Sequence, residues 1–478
     1  MINLTDTIFR RMFSVSMYKN LKLGIGEMSF FKDFVHDSRG DLYPVLDRSE
    51  TCTESVKDGV YEVNGGSIER MFCRFFPYAS YEISAALTNG TAGFTFRLPK
   101  SWASVILSRE TVTYTCENRV REVSIPTRCE NEITLIVQCR PAAFDIYLKN
   151  GRKPEFVCTF EEETFRDSDL YAEFSNGTAA LTVSGHVTVT AVQAYIDNGI
   201  SIADIRPIKY ENGEVITEQG KIFFTASVRM QRESFQGVFS WIPTTTTFEM
   251  TGAVFYDCGD GRWRGCVAPV MIYNRNKKQW YVWVVSSFEH ILAHAAFDGD
   301  PRFGVNVIDV QIMEKAPTGA DISSFTGFRG DEDPDLLYDE KRNRWLMAIC
   351  RLDPKNNRYV YVFFESNDPF EGYTCLGKGY DGSETGGSFL SVKDDVFFIC
   401  GNDEPDKVSD YRIYSKNGMK KAVFDYPDGG FRGWGSVFPI RMGSRTRYFW
   451  LTFDRHKGSD FTWSYGNLYC FESDIYKQ

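Results

Sequence analysis

Between residues 219 and 455 the chain repeats one local pattern five times: a basic or polar turn leading into an aromatic-rich strand. The copies are QGKIFFTASVR (219–229), KKQWYVWVVSS (277–287), KRNRWLMAICR (341–351), KDDVFFICGND (393–403) and SRTRYFWLTFDR (444–455). Anchored on Phe223, Tyr281, Leu346, Phe397 and Phe449, they are spaced by 58, 65, 51 and 52 residues. A short strand ending in a turn precedes each copy, and one or two more strands follow it. About four strands in a unit of this length is the size of a propeller blade, so five copies predict a five-bladed β-propeller over 199–478. A helical solenoid would need apolar residues every three or four positions, and a βα barrel would need helices between its strands. Neither pattern occurs.

Residues 58–198 read as short strands of alternating polarity with turn signals between them. In ITLIVQC, Ile133, Leu135, Val137 and Cys139 share one face. In AFDIYLK, Phe144, Ile146 and Leu148 alternate with Asp145, Tyr147 and Lys149, and Asn150-Gly151 supplies a hairpin turn. HVTVTAV repeats the alternation with Val187, Val189 and Ala191 inward. This is the pattern of a β-sandwich. Residues 1–57 are left without a definite structure: FRRMFSVSMYKNLKLG (9–24) admits a short amphipathic helix, and VHDSRGDLYP (35–44) reads as loop. The expected fold class is all-β, an N-terminal β-sandwich followed by a five-bladed propeller.

Composition narrows the function. Aromatic residues make up 15% of the 478. They suit pleated strands, and their flat faces also suit the apolar side of a sugar ring. The formal net charge is −10 with no dense Lys/Arg run, so neither a nucleic acid nor an anionic membrane surface is an expected partner. No leader-like apolar segment opens the sequence, and no apolar run of about 18 residues occurs. The twelve cysteines are scattered without CxxC spacing, which gives no support for a zinc cluster. Several lie in apolar runs, as Cys350 does in WLMAIC and Cys400 in VFFIC, in the manner of buried free thiols in a reducing compartment. A cytoplasmic location is the resulting expectation. GxSxG, P-loop and dinucleotide fingerprints are missing, so no cofactor is expected. His290 and His294 are four apart but lack the glutamate of an HExxH pattern, and no metal site is expected either. The oligomeric state is not written in the sequence.

In a propeller the innermost strands line the axis, so the residues that open them matter most. They read ADIRPIKY (203–210), GCVAPVMIY (265–273), EDPDLLYDE (332–340), ETGGSFLSV (384–392) and RGWGSVFPI (432–440). Three carry an acid: Asp204, Asp333 and Glu384. Asp333 and Glu384 each stand 13 residues before their anchor, and Asp204 stands 19 before its own. Converging carboxylates suit glycoside hydrolysis, in which one acid delivers a proton while another stays ionised.

These segments resemble the five-bladed propeller glycoside hydrolases of families 43 and 32. DPDLLYDEKRNRWLMAI (333–349) is similar to their Asp-Pro strand and the Trp-bearing strand after it, and ETGGSFLSVKDDVFFI (384–399) to the strand led by their proton donor. The resemblance implies Asp204 as general base or nucleophile, Asp333 as pKa modulator and Glu384 as general acid. The substrate it implies is an oligosaccharide or glycoside ending in a furanosyl or xylosyl-type sugar. Asp204 is followed by Ile-Arg-Pro where those families place a proline directly, and blade five has Gly433-Trp434-Gly435-Ser436 where family 43 often places a histidine. Around FDIYLKNGRKPEFV (144–157) the earlier region resembles concanavalin-like or laminin-G-like sandwiches. Trp263 and Trp434 are placed to stack a sugar ring, and Arg206 and Arg329 to bind hydroxyls or orient a carboxylate. Two rivals stand beside the hydrolase: a non-catalytic sugar-binding propeller, and a glycoside phosphorylase that would need basic side chains such as Arg206 and Arg329 near Asp333.

Overall fold

The computed structural model describes residues 8–16, 21–28, 43–125, 132–150, 153–286, 291–313, 329–353, 355, 357–379, 383–392, 395–402, 411–421, 423–425, 431–454 and 467–473. The chain divides into two compact units. One comprises residues 22–197 together with 261–263; the other takes 1–21, 198–260 and 264–478.

The first unit contains two antiparallel sheets, of seven and eight strands. Ile133–Arg140 and Ala143–Lys149 form a hairpin in the larger sheet, and the alternation read from the sequence puts Leu135, Val137, Phe144 and Ile146 into one core. Thr91–Arg97 and Thr178–Ser184 of the smaller sheet supply Phe94, Phe96 and Leu181 to the same core. Both sheets therefore bury one face on shared apolar residues, each large side chain contributing about 1.5–3 kcal/mol. The opposite face of the larger sheet is polar and internally paired: Arg140 Nε bonds Asp145 at 2.6 Å, and Ser80 and Gln138 both donate to Asp197. One detail of the expected alternation fails. The strand Val187–Asp197 slips register between Val189 and Ala191, so Val192 enters the core in place of Ala191. An extra residue at a bulge reverses the faces of everything after it. Gly151 lies outside the described residues.

In the second unit five sheets form five blades. Their innermost strands are Ser201–Pro207, Val267–Asn274, Arg329–Asp339, Glu384–Val392 and Phe431–Met442. Each is the neighbour of the next, and the fifth is again the neighbour of the first, so the ring closes. Apolar cores lie between successive blades. Val270, Ile272 and Trp283 of blade two meet Leu336, Trp345 and Met347 of blade three, and Leu346 and Cys350 meet Phe389 and Phe398 of blade four. Trp241 of blade one lies edge-on to Phe438 and Phe449 of blade five. The aromatic repeat residues thus pack one blade on the next.

Residues 8–16 depart from the helical expectation. Ile8–Ser16 is a strand of blade five, antiparallel to Asn467–Ser473 on one side and parallel to Val423–Asp425, the edge of that sheet, on the other. Its Phe13 lies edge-on to Trp241 and Phe248. A short strand shows the same brief run of hydrophobic residues as one helical turn or two, and pairing decided the outcome. The chain from Lys22 to Lys57, without assignment in the sequence, supplies strands to the two-sheet unit. Among the described residues no helix is long and apolar enough to cross a membrane. His294 sits in the strand Leu292–Phe297 against Trp283 and Phe370, not on a helix, and His290 lies outside the described residues.

Candidate functional site

All five inner strands break register at the same place. The slip falls between Ala203 and Arg206, Val267 and Val270, Glu332 and Asp335, Thr385 and Ser388, and Arg432 and Ser436. The first residue inside the bulge is Asp204, Ala268, Asp333 and Gly386 in blades one to four, with φ of 54°, 51°, 43° and 60°. Only glycine takes that left-handed backbone freely, so aspartate at two of the four sites costs strain that the surrounding ladder must hold. Bulges of this kind re-aim side chains, and strained residues are characteristic of working sites.

Asp204 and Asp333 therefore occupy equivalent positions on different blades. Asp204 is 9% exposed, with Oδ2 3.3 Å from Arg229 Nη2. Burial pushes its carboxyl above the usual carboxylate range and the negative charge of Asp333 adds to this, while Arg229, a Ser227 hydrogen bond and Arg206 oppose it. Asp333 is 8% exposed, and its Oδ2 accepts from Thr385 Oγ1 at 2.8 Å and from the Gly386 amide at 2.9 Å. Its orientation is set by donors from blade four. Immediately after the bulge, Arg206 is 2% exposed. Its Nη1 lies 3.3 Å from Ser436 Oγ, while Nε and Nη2 have no partner among the described residues.

Glu384 stands elsewhere. The blade-three hairpin pairs Leu337 with Leu346 and the blade-four hairpin pairs Leu390 with Phe397, which makes Gly386 the counterpart of Asp333 and Asp331 the counterpart of Glu384. The turn after Asp339 is two residues longer than the turn after Val392, so counting back equal distances from the anchors misaligns the acids by two. Glu384 is fully enclosed. Oε1 accepts from Arg412 Nη1 at 3.1 Å and from the Tyr414 hydroxyl, and Oε2 accepts from the Tyr361 amide at 3.3 Å. Burial pushes this carboxyl up, and those three donors oppose the shift. Gly379 makes room for it: a Cβ there would sit 2.3 Å from Oε2. Asp331 is held in the same style, 2.7 Å from Arg351 Nε.

Trp263 corrects the sequence reading most plainly. It belongs to the two-sheet unit, where it packs edge-on against Phe174 and Phe76 and stacks with Tyr171. Its neighbour Arg262 holds Asp167 and Asp169, and that anchoring draws the short segment away from the blade-two strand it precedes in sequence. Arg329 opens the inner strand of blade three and Trp434 lies in the bulge of blade five, but both side chains lie outside the described residues. Arg229, Thr385, Arg412 and Tyr414 were not singled out from the sequence. One signal was available: three of the five repeats end in arginine, and two of these, Arg229 and Arg351, turn back onto an inner-strand acid. Among the described residues no cluster of three or more His, Cys, Asp or Glu is arranged to hold a metal ion.

No family model matches the chain, and no curated protein matches it. Similar solved structures include an α-L-arabinofuranosidase from Podospora anserina in complex with cellotriose, at 12% identity and TM-score 0.41 over 57% of this chain and 91% of that one. A family 117 glycoside hydrolase from the marine bacterium Zobellia galactanivorans matches at 11% identity and TM-score 0.40, over 57% and 85% of the two chains. A family 43 β-1,3-galactosidase with galactodeoxynojirimycin matches at 11% and 0.38, over 56% and 93%. At these identities and scores the likeness transfers no activity.

Proposed function

We propose that the propeller unit is a glycoside hydrolase acting on a terminal furanosyl or xylosyl-type residue of an oligosaccharide, with acid–base chemistry supplied by Asp204 and Asp333. The observation that carries this reading is the pair itself: two carboxyl groups on equivalent strained bulges of blades one and three, electrostatically in contact, with Asp204 pushed towards its protonated form. When one of two neighbouring acids is pushed towards its protonated form, the pair can divide the work of glycosidic cleavage. Asp204 gives its proton to the leaving oxygen as the C–O bond breaks, and Asp333, oriented by Thr385 and Gly386, faces the positive charge that grows at the anomeric carbon. A water then adds to that carbon, and its released proton restores Asp204. Arg206, whose Nε and Nη2 have no partner among the described residues, places a buried positive charge beside Asp204. In this reading Glu384, with no exposure, is a clasp between blades and not the acid that the family resemblance implies. The family-32 kinship, a concanavalin-like character for the two-sheet unit and a cytoplasmic setting belong to the same proposal.

A second reading, binding without turnover, is favoured by one observation: Glu384 is locked away from any ligand. The experiment that separates the two is sugar release from aryl furanosides, aryl xylosides and fructo-oligosaccharides, with and without phosphate, by the parent and by Asp204→Asn, Asp333→Asn and Glu384→Gln. Release by the parent that disappears in both aspartate variants and survives in Glu384→Gln is the expected result. Loss in Glu384→Gln alone restores glutamate as the acid. Turnover only with phosphate makes the enzyme a phosphorylase, and no release from any substrate leaves the binding reading.

A further inference from the structure

The residue that closes each bulge stands at one level of its inner strand: Arg206, Val270, Asp335, Ser388 and Ser436 in blades one to five. Inner strands of successive blades are neighbours, so these five positions form a ring around the centre of the propeller. Every member is buried, and none is more than 3% exposed.

Hydrogen bonds between blades hold the ring. Lys209 Nζ lies 2.8 Å from Asp335 Oδ1, and Asp335 Oδ2 accepts from the Phe389 amide of blade four at 2.5 Å. Across the blade five–blade one junction, Arg206 Nη1 donates to Ser436 Oγ at 3.3 Å, and that hydroxyl donates to the Ile205 carbonyl at 2.9 Å.

Charge at this level does not balance. Lys209 and Asp335 neutralise one another as a buried pair, which leaves the Arg206 guanidinium with one hydroxyl as its partner. Its Nε and Nη2 have no partner among the described residues, and neither has the hydroxyl of Ser388, which flanks Ser436 on the other side. The two bulge acids are engaged elsewhere, Asp204 by Arg229 and Asp333 by Thr385 and the Gly386 amide. A buried cation is costly unless it is paired, and each buried donor left without an acceptor adds to that cost.

We propose that Arg206 Nε and Nη2, together with the Ser388 hydroxyl, bind a small monovalent anion of the chloride class at the centre of the propeller. One unmatched positive charge suits one negative charge. Lys209 is already taken by Asp335, so a sulfate or phosphate dianion would bring a surplus. A spherical halide also accepts from any direction, as donors on two separate inner strands require. The anion gives Arg206 what Asp335 gives Lys209, and it ties blade one to blade four. The inference is independent of the acid–base reading, and its test is read through stability.

The test is thermal melting of the whole protein in mixtures of sodium chloride and sodium gluconate at constant ionic strength, repeated with bromide. The melting temperature should be flat at low chloride and then rise by about 1–4 °C for each tenfold increase above the dissociation constant. Arg206→Met should abolish the rise. Ser388→Ala, which removes one donor and keeps the guanidinium, should move its onset to about three- to tenfold higher chloride, and it carries the test if Arg206→Met does not fold. Crystals grown in bromide should show an anomalous peak within hydrogen-bond distance of Arg206 Nε and Nη2. The proposal falls if melting ignores chloride at constant ionic strength, if Arg206→Met responds as the parent does, if Ser388→Ala leaves the onset unchanged, or if water occupies the position in bromide. A bromide peak without any response in solution marks an adventitious ion only and overturns it as well.

Discussion

Blades three and four are built on one plan and put their acids to opposite uses. Both have an antiparallel hairpin and an inner strand broken by the same two-residue bulge. Both place an acid two residues before the bulge against an arginine, Asp331 with Arg351 and Glu384 with Arg412. The difference lies in the bulge. Blade three puts Asp333 there, bonded to Thr385 and the Gly386 amide, while blade four puts Gly386-Gly387 there and offers its backbone to the neighbouring acid. In blade three the carboxylate at the bulge takes its donors from the adjacent blade, whereas the acid two residues earlier is drawn into an arginine of its own blade. Register on the strand, more than residue type, decides which acid is available for chemistry.

The largest test of this contrast is catalytic. Asp333→Asn should lower turnover by about 10²–10⁴-fold while leaving the unfolding midpoint within a few degrees of the parent, measured by sugar release beside thermal melting. Retained turnover would remove the distinction between the two kinds of acid. Next comes the clasp. Glu384→Ala takes the fully buried carboxylate away from a largely enclosed Arg412 and should cost about 3–5 kcal/mol in urea unfolding, because breaking such a pair leaves the remaining charge in a poorly solvated place. Glu384→Leu combined with Arg412→Met should recover most of that loss. Asp331→Asn, which keeps a side-chain oxygen beside Arg351 and removes only the charge of its partner, should cost less, about 1–3 kcal/mol by the same measurement. Gly386→Ala forces a side chain into left-handed backbone and should cost about 1 kcal/mol.

The smallest effect distinguishes Asp204 through its titration. Its carboxyl is raised in the folded protein, so ionisation opposes folding. The stability is complete below the ordinary aspartate range and is lost as pH rises through the shifted value. Asp204→Asn removes that loss. Its melting temperature relative to the parent should therefore climb as pH rises above about 4, the ordinary aspartate value. A difference that stays flat across this range would show that burial and Asp333 do not act on Asp204.

Much of the propeller was legible because its blades repeat, and repetition exposes itself in a single chain. The aromatic anchors fall between blades as their alternation requires, with Leu346 against Phe398 and Trp450 against Tyr411. The site was legible only in part. Asp204 looked out of frame because the turn that follows its strand is long, yet the hairpin register makes it the equal of Asp333, while Glu384 looked in frame because a short turn disguised a shift of two. Spacing along a chain cannot separate turn length from strand register. Trp263 was misplaced for a related reason: sequence proximity to blade two did not reveal that Arg262 would be captured by Asp167 and Asp169. Bulges, which set the φ of Asp204 and Asp333, leave no composition signal outside glycine.

The strand Ile8–Ser16 has a kinetic consequence. It completes blade five by pairing Phe9 with Ser473 and Ser16 with Asn467, contacts between positions separated by nearly the whole chain. Closing a loop of that length gives no stabilising contact until both segments are present, so blades one to four can form from pairings of shorter range while the fifth waits for this strand. The last step of folding is then the latching of the ring. A chain cut before residue 467 should accumulate with four ordered blades and an open, pairing-competent strand at Ile8–Ser16, and such exposed edges are where aggregation begins.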